Sequence, residues 1–351
     1  MPLPGRSSMH VDIPPFRSRL PFVMPSRMLD PKILPAVSAV HTAAERLRSV
    51  LAPSRTLRAD ALSAMLGVEV FYKCELENPT GSFKIRGAYN VLAGMTPEEH
   101  AKGVVASSAG NHGLGVAHAA RAFGAPAFLY VPRTAPQVKK DGIRALGATV
   151  NDDAPDYDEA MVRAKAHAER DGVRFINPCL GLELLAGQGT VALEVLAQHP
   201  DARTVVICTG GGGLLGGMGA VLRHEAPQMR VVGAQSVETA AMTHSVRAGH
   251  VVHTAVTPTL ADGLAGQIDD DALHIGQQCA DDLVLVSEEE LGETIAWLSR
   301  TDGLTVEGAG AVTVAALRHR KITALEGPVV AIVSGRNIDQ AKHAALLQRY
   351  R

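Results

Sequence analysis

Short aliphatic runs alternate with helical patterns along most of this chain, and that alternation restricts the fold more than any other feature. Residues 68–74, 103–107, 127–131, 148–150, 204–208, 230–234, 283–286 and 329–333 read as strands. Residues 37–51, 59–66, 114–123, 138–146 and 157–170 carry a helical period. Strand followed by helix, many times over, implies parallel sheets covered by helices on both faces. There are more units than one sheet holds comfortably, so the expectation is an α/β protein with two open, twisted parallel-sheet domains and a cleft between them. Aromatic residues are only 4% of the chain, so its core must be aliphatic.

The run Pro79-Thr80-Gly81-Ser82-Phe83-Lys84-Ile85-Arg86-Gly87-Ala88 follows the first of these aliphatic strands. Asn78 to Gly81 breaks the strand, Ser82 can cap a helix, and Ala88-Tyr89-Asn90-Val91-Leu92 carries that helix on. Lys84 thus falls at a helix N-terminus, where the macrodipole disfavours a cation. Taken alone, a lysine in such a place is most often a solvated surface residue.

Three loops after strands change that reading, because open α/β folds bind ligands at the carboxyl ends of their strands. Ser107-Ser108-Ala109-Gly110-Asn111-His112-Gly113 has the hydroxyls and backbone N–H groups of an anion site at a helix start. The bland alternative is an ordinary capped turn with a structural histidine. Thr209-Gly210-Gly211-Gly212-Gly213-Leu214 leaves backbone N–H groups unshielded, as a phosphate cradle requires. It lacks the lysine of a nucleotide P-loop and the acidic residue of a dinucleotide finger, so a single phosphate fits better. Four glycines as mere flexibility is the weaker alternative, since each costs about 0.5–1 kcal/mol in ordered structure. Ser334-Gly335-Arg336-Asn337 ends the last strand with a hydroxyl able to meet a ring nitrogen; by itself this is a weak signal. An amine, a cradle for one phosphate and an anion loop in one α/β chain fit a Schiff-base cofactor, and pyridoxal 5'-phosphate meets that description.

Bulk properties exclude other classes. A formal net charge of −2 argues against nucleic acid or an anionic membrane as partner. No apolar run approaches transmembrane length. Cys74, Cys179, Cys208 and Cys279 are widely spaced and form no C-x-x-C, which points to reduced thiols and a cytoplasmic location. Residues 1–35 are rich in Pro, Arg and Ser and read as a poorly ordered extension without a secretory signal.

Gly81 to Ala88, Ser108 to Gly113, Ala186-Gly187-Gln188-Gly189-Thr190, Gly210 to Leu214 and Ser334 to Asn337 together resemble, in this order, the serine/threonine dehydratase family. Its members are pyridoxal phosphate enzymes of fold type II, related to serine racemase and the tryptophan synthase β subunit. The resemblance runs from about residue 40 to 345. It implies a large cofactor-binding domain over residues 36–100 and 179–351, a small mobile domain over 101–178, and an active site in the cleft between them. It also implies that Lys84 is the Schiff-base lysine and the base at Cα, that Phe83 flanks the ring, and that Asn111 bonds the ring's 3-hydroxyl. Gly210, Gly211, Gly212, Gly213 and Leu214 would hold the phosphate through backbone N–H, and Ser334 would meet the pyridine nitrogen. Gly263 and Glu307 resemble residues lining the cofactor edge. Ser108, Ala109, Asn111 and His112 would grip the substrate carboxylate.

The implied reaction removes a β-hydroxyl from an L-amino acid, by default L-threonine or L-serine, and gives a 2-oxo acid and ammonia. A neutral Ser334 cannot keep the ring nitrogen protonated as a carboxylate would, which favours prompt loss of the hydroxyl over transamination. A bulkier substrate, such as phenylserine or a hydroxyectoine-pathway intermediate, is the first alternative. Racemase activity is disfavoured because Ala109 stands where the racemases of this family have a second serine. Gln235, followed by Ala240-Ala241, replaces the acidic residues of the family's divalent-cation site, so no metal is expected. With the chain stopping at Arg351, feedback control through an appended regulatory domain is expected to be absent. A non-catalytic pyridoxal phosphate-binding protein is the alternative from another class. The family implies a homodimer or homotetramer.

Overall fold

A computed structural model describes residues 29–255 and 257–351. The extension expected over residues 1–35 lies outside these up to residue 28; its last residues are packed, with Leu34 buried in the larger core. The first elements are α1 (Val37–Leu47), β1 (Thr56–Arg58), α2 (Asp60–Leu66), β2 (Val70–Cys74), α3 (Lys84–Ala93) and α4 (Pro97–Lys102). Next come β3 (Val104–Ser107), α5 (Asn111–Phe123), β4 (Ala127–Pro132), α6 (Gln137–Ala145), β5 (Thr149–Ala154), α7 (Tyr157–Asp171) and β6 (Arg174–Phe175). The remainder is α8 (Leu182–Gln198), β7 (Thr204–Cys208), α9 (Gly213–Glu225), β8 (Arg230–Ser236), α10 (Ala241–Ala248), α11 (Asp270–Cys279), β9 (Asp282–Val286), α12 (Glu288–Thr301), α13 (Gly308–Arg318), β10 (Val329–Val333) and α14 (Gln340–Arg349).

The strands form two sheets. A six-stranded sheet has the order β1-β2-β10-β7-β8-β9, and a four-stranded sheet the order β5-β4-β3-β6. Every pairing is parallel except β1 with β2, which is antiparallel. The edge strand β1 thus departs from the all-parallel expectation: its three residues precede α2 with too short a connection for a crossover. Strands β7 and β10 are buried at every position, which is why they read as continuous Val/Ile runs without alternation. Each Val or Ile so buried stabilises the fold by about 1.5–3 kcal/mol. Among the described residues no helix is long and apolar enough to cross a membrane.

Helix α3 joins the two cores. Its Ile85, Ala88 and Leu92 pack with the four-stranded sheet's residues, while Phe83, just before it, lies in the larger core. Its polar side is held by a buried ionic cluster. Arg86 donates to both Glu75 oxygens, at 2.7 and 2.8 Å, and to both Glu194 oxygens, at 2.6 and 3.0 Å. Lys73 Nζ donates to Glu194 at 2.6 Å, to Ser54 O at 2.6 Å and to Gln198 at 2.9 Å. Burial alone would push the Glu75 carboxyl up, but the guanidinium of Arg86 and the ammonium of Lys73 hold it below the usual carboxylate range.

Candidate active site

Adjacent parallel strands place the site. β2, β10 and β7 are neighbours in the larger sheet, and the loops leaving their carboxyl ends carry Lys84, Ser334 to Asn337, and Gly210 to Gly213. The carboxyl end of β3, in the smaller sheet, leads to Ser108 through His112.

Lys84 is the first residue of α3. The helix is not capped by Ser82: its N-cap is Phe83, with no side-chain cap bond, because Ser82 pairs across to Gly335 in an isolated bridge. Phe83 N–H donates to Ser334 O at 3.1 Å and Arg336 N–H to Gly81 O at 2.9 Å, so the lysine loop and the last loop are stitched together. Lys84 Nζ donates to Pro178 O at 2.7 Å and lies 5.3 Å from the centre of the Phe83 ring. Ser334 is buried, its hydroxyl donates to Ala309 O at 3.3 Å, and the buried thiol of Cys208 lies near it. Burial pushes that thiol up to about 11, so it stays protonated.

The glycine loop is packed hard. A Cβ on Gly210 would meet Leu264, and one on Gly211 or Gly213 would meet Cys179; Gly212 has φ +89°, the left-handed region. Side chains are thus excluded there by neighbours and backbone alike. Gly213 and Leu214 open α9, whose first N–H groups have no partner within the helix. The residue after Pro178 supplies the wall of this loop, so the amine of Lys84 and the cradle share one short segment.

Across from them, α5 begins at Asn111, three residues before its helical period is evident. The first-turn N–H groups of Asn111, His112 and Gly113 therefore point out of the helix end without intrahelical partners. Ser108 Oγ accepts from Gly110 N–H at 3.1 Å, which folds the turn. His112 is buried, and its Nε2 bonds Ile176 O at 3.0 Å. A carbonyl only accepts, so Nε2 carries the proton. Burial, then the nearby Lys84 ammonium, pushes this imidazole down to about 3, so it stays neutral. The ring of His112 is turned to Ile176, and what the residue offers an anion is its backbone N–H. Ala109 and Gly110 complete the turn, and a Cβ on Gly110 would meet nothing within 4 Å.

Glu307 and Gly263 close the site. Glu307 is the N-cap residue of α13, and its N–H donates to Gly335 O at 3.1 Å. Its Oε1 accepts from Asn111 Nδ2 at 2.6 Å, and Asn337 Nδ2 donates to Asn111 Oδ1 at 2.6 Å. Gly263 is exposed in the turn Asp262–Leu264, with Ala309 Cβ 3.1 Å from where its own Cβ would stand. Beside it Lys139 of α6 reaches Asp262 at 3.1 Å, an ion pair from the smaller sheet's helix to the larger sheet's loop. The sequence singled out Lys84, Phe83, Asn111, Ser334 and Glu307, and these do meet. Pro178, Cys179 and Cys208 carry no motif, and only contacts reveal them.

Burial pushes the Glu307 carboxyl up to about 7, against the hydrogen bond from Asn111, which lowers it. In the unfolded chain it titrates near 4.5. At this carboxyl the folded protein thus binds more protons between these values, so the Glu307 contribution to stability declines as pH rises through that window, by on the order of 3 kcal/mol, while the buried neutral His112 contributes the opposite slope up to about 6.5. The difference in urea midpoint between the wild-type and Glu307→Gln proteins, both free of cofactor and measured at successive pH values, should show that decline.

A family model described as "Pyridoxal-phosphate dependent enzyme" matches residues 47–335. The chain belongs to the pyridoxal phosphate-dependent enzyme family. The enzyme is 37% identical over 311 residues to a protein of Geobacter sulfurreducens named L-threonine ammonia-lyase, covering 88% of this chain and 77% of that one. It is 33% identical over 310 residues to the catabolic L-threonine dehydratase of Escherichia coli strain K12, covering 88% and 94%. Maize serine racemase superposes with a TM-score of 0.85 at 28% identity over 90% of this chain and 98% of that one. The processed form of tomato threonine deaminase isoform 2 gives 0.82 at 31% identity over 94% and 99%. The enzyme is a pyridoxal phosphate-dependent lyase of the dehydratase type.

The residues present fit the cofactor. Buried hydroxyls of Thr80, Ser82 and Ser107 have no protein partner around the lysine and anion loops, and the glycine cradle admits no side chain. The buried Gln235 amide, which stands where the resemblance implies an acidic cation ligand in other members, donates to Thr239 O at 2.6 Å and accepts from Thr243 Oγ1 at 2.6 Å and Thr243 N–H at 2.9 Å. Its polar atoms are thus spent within the protein.

Proposed function

We propose that the enzyme is an ammonia-lyase of β-hydroxy L-amino acids, with L-threonine and L-serine as its substrates. The observation that carries this is the convergence of one lysine amine, a side-chain-free glycine loop and the open first turn of α5 at the ends of neighbouring strands. When bound, pyridoxal phosphate supplies an electron sink for charge left at the substrate α-carbon. The backbone N–H groups of Gly210 through Leu214 hold its phosphate, Phe83 flanks its ring, and Asn111 and Ser334 take its ring oxygen and nitrogen. Gly263 and Glu307 line its edge. Lys84 holds it and then serves as the base that takes the α-proton.

The first-turn N–H groups of α5, with Ser108 and the backbone of Ala109, bind the substrate carboxylate, and the helix N-terminus favours that charge. Ala109 offers no hydroxyl on the opposite face, so no second base is present there to return the proton with inversion. In this reading residues 101–178, which contain all four strands of the smaller sheet, move against the rest as substrate binds. The enzyme works in the cytoplasm as a homodimer or homotetramer; the free thiols Cys74, Cys179 and Cys208 accord with a reducing compartment.

The test is release of ammonia and 2-oxo acid from a panel of L-threonine, L-serine, their D forms, threo-phenylserine and 3-hydroxyaspartate. Release from L-threonine or L-serine is expected. Release from phenylserine alone would replace the substrate assignment, and none from any member, with the cofactor bound, would overturn the reading.

A further inference from the structure

We infer that Asn337 is a positioning residue that decides which end of the Asn111 amide faces the cofactor. The inference rests on the cofactor reading above. It starts at Thr80 O, which accepts from Asn337 Nδ2 at 2.8 Å. A carbonyl oxygen cannot donate, so the Asn337 atom facing it must be the nitrogen. The same nitrogen lies 2.6 Å from one amide atom of Asn111, which must then be the oxygen. Both N–H groups of Asn337 are thereby spent. The other end of Asn111 is its nitrogen, and it donates one N–H to Glu307 at 2.6 Å. The second N–H is the group Asn111 can present to the cofactor's ring oxygen.

Donation therefore starts at Asn337, which gives one N–H to Thr80 O and the other to Asn111, and passes from Asn111 to Glu307; with Thr80 O fixed as an acceptor it cannot be reversed. Its seat is built for it. Gly81 has φ +76°, and a Cβ there would collide with the Asn337 side chain. A Cβ on Gly335 would collide with Glu307 Oε1. Asn337 and Glu307 leave the larger sheet's side of the site, whereas Asn111 opens α5, which follows a strand of the smaller sheet. The two residues hold Asn111 from both ends across that divide. Without them the amide can turn and present its oxygen, an acceptor facing an acceptor.

The measurement is the pH midpoint of the visible absorbance band of the Lys84-linked cofactor. An N–H donated to the ring oxygen weakens that oxygen's hold on the proton it shares with the lysine-linked nitrogen. Loss of that donor raises the midpoint. Asn337→Asp has only acceptors, so it turns Asn111 around, and the midpoint is expected to rise by about one pH unit, the size of one lost bond to a charged group. Asn337→Ala, which merely frees the amide, should give a smaller rise of the same sign. It carries the test if the aspartate variant does not fold by circular dichroism. In an Asn111→Ala background neither change should shift the midpoint further.

A folded Asn337 variant with an unchanged midpoint would overturn the inference. So would a shift that persists undiminished without Asn111. Wild-type protein lacking the Lys84-linked band would overturn instead the cofactor reading beneath it, which is a separate result.

Discussion

Lys84→Ala should lower ammonia release by about 10⁴-fold or more and leave the fold intact. The two halves of this expectation come from the same position. The side chain makes one hydrogen bond, to Pro178 O, and it is only partly buried. It opens helix α3, where a cation opposes the macrodipole and alanine is the best helix former. Removing it therefore costs little stability. The chemistry has no substitute among neighbouring bases. His112 is buried, neutral and bonded to Ile176, and Glu307 is occupied by Asn111. Lys84→Arg should be nearly as inactive, because a guanidinium stays protonated and cannot take a proton from carbon. A coupled assay for the 2-oxo acid, run beside urea denaturation, checks both halves. A residual rate within tenfold of wild type would show that another group takes the proton.

The largest expected loss of stability comes from Arg86→Met. The side chain keeps its volume, but Glu75 and Glu194 lose the guanidinium that spans them. Glu75 is fully buried, and Lys73 alone would remain to offset two carboxylates. Breaking a buried ionic cluster from one side costs about 3–5 kcal/mol, since the abandoned charge stays behind. Urea midpoints should record that loss, and the cofactor should be held less tightly, because Arg86 lies on the helix that starts with Lys84. Arg86→Lys should recover only part, as an ammonium cannot make two forked contacts at once. A loss below about 1 kcal/mol, the range of exposed pairs, would show that this cluster is solvated in practice.

Strands β7 and β10 were legible because their burial is total. They occupy the spans that their Val/Ile runs mark. The glycine loop was legible because four adjacent glycines serve few purposes. Boundaries at polar turns were harder. Ser108 through Gly113 looks like a loop throughout, yet α5 begins at Asn111, since Gly110 serves as its N-cap without a capping side chain. The two-residue strand β6 is too short for any period, and β1 gives no sign of its antiparallel pairing. The ionic cluster was hidden for a different reason. Ser54, Lys73, Glu75, Arg86 and Glu194 come from separate elements, and each alone looks like a surface residue. Asn337 was visible only as the last letter of a weak motif; its role depends on Thr80 and Asn111, both distant in sequence.

The position of β10 bears on how the protein is made. It is the final strand of the larger sheet to appear along the chain, yet it lies between β2 and β7, which precede it. While a ribosome is still delivering residues before Val329, those two strands have no common neighbour and expose unpaired edges. The same strand brings Ser334 and Asn337 to the lysine loop. The nascent protein thus carries Lys84 long before the loop that is stitched to the lysine loop has been made. The aliphatic edges of β2 and β7 must be kept from other chains until β10 is inserted.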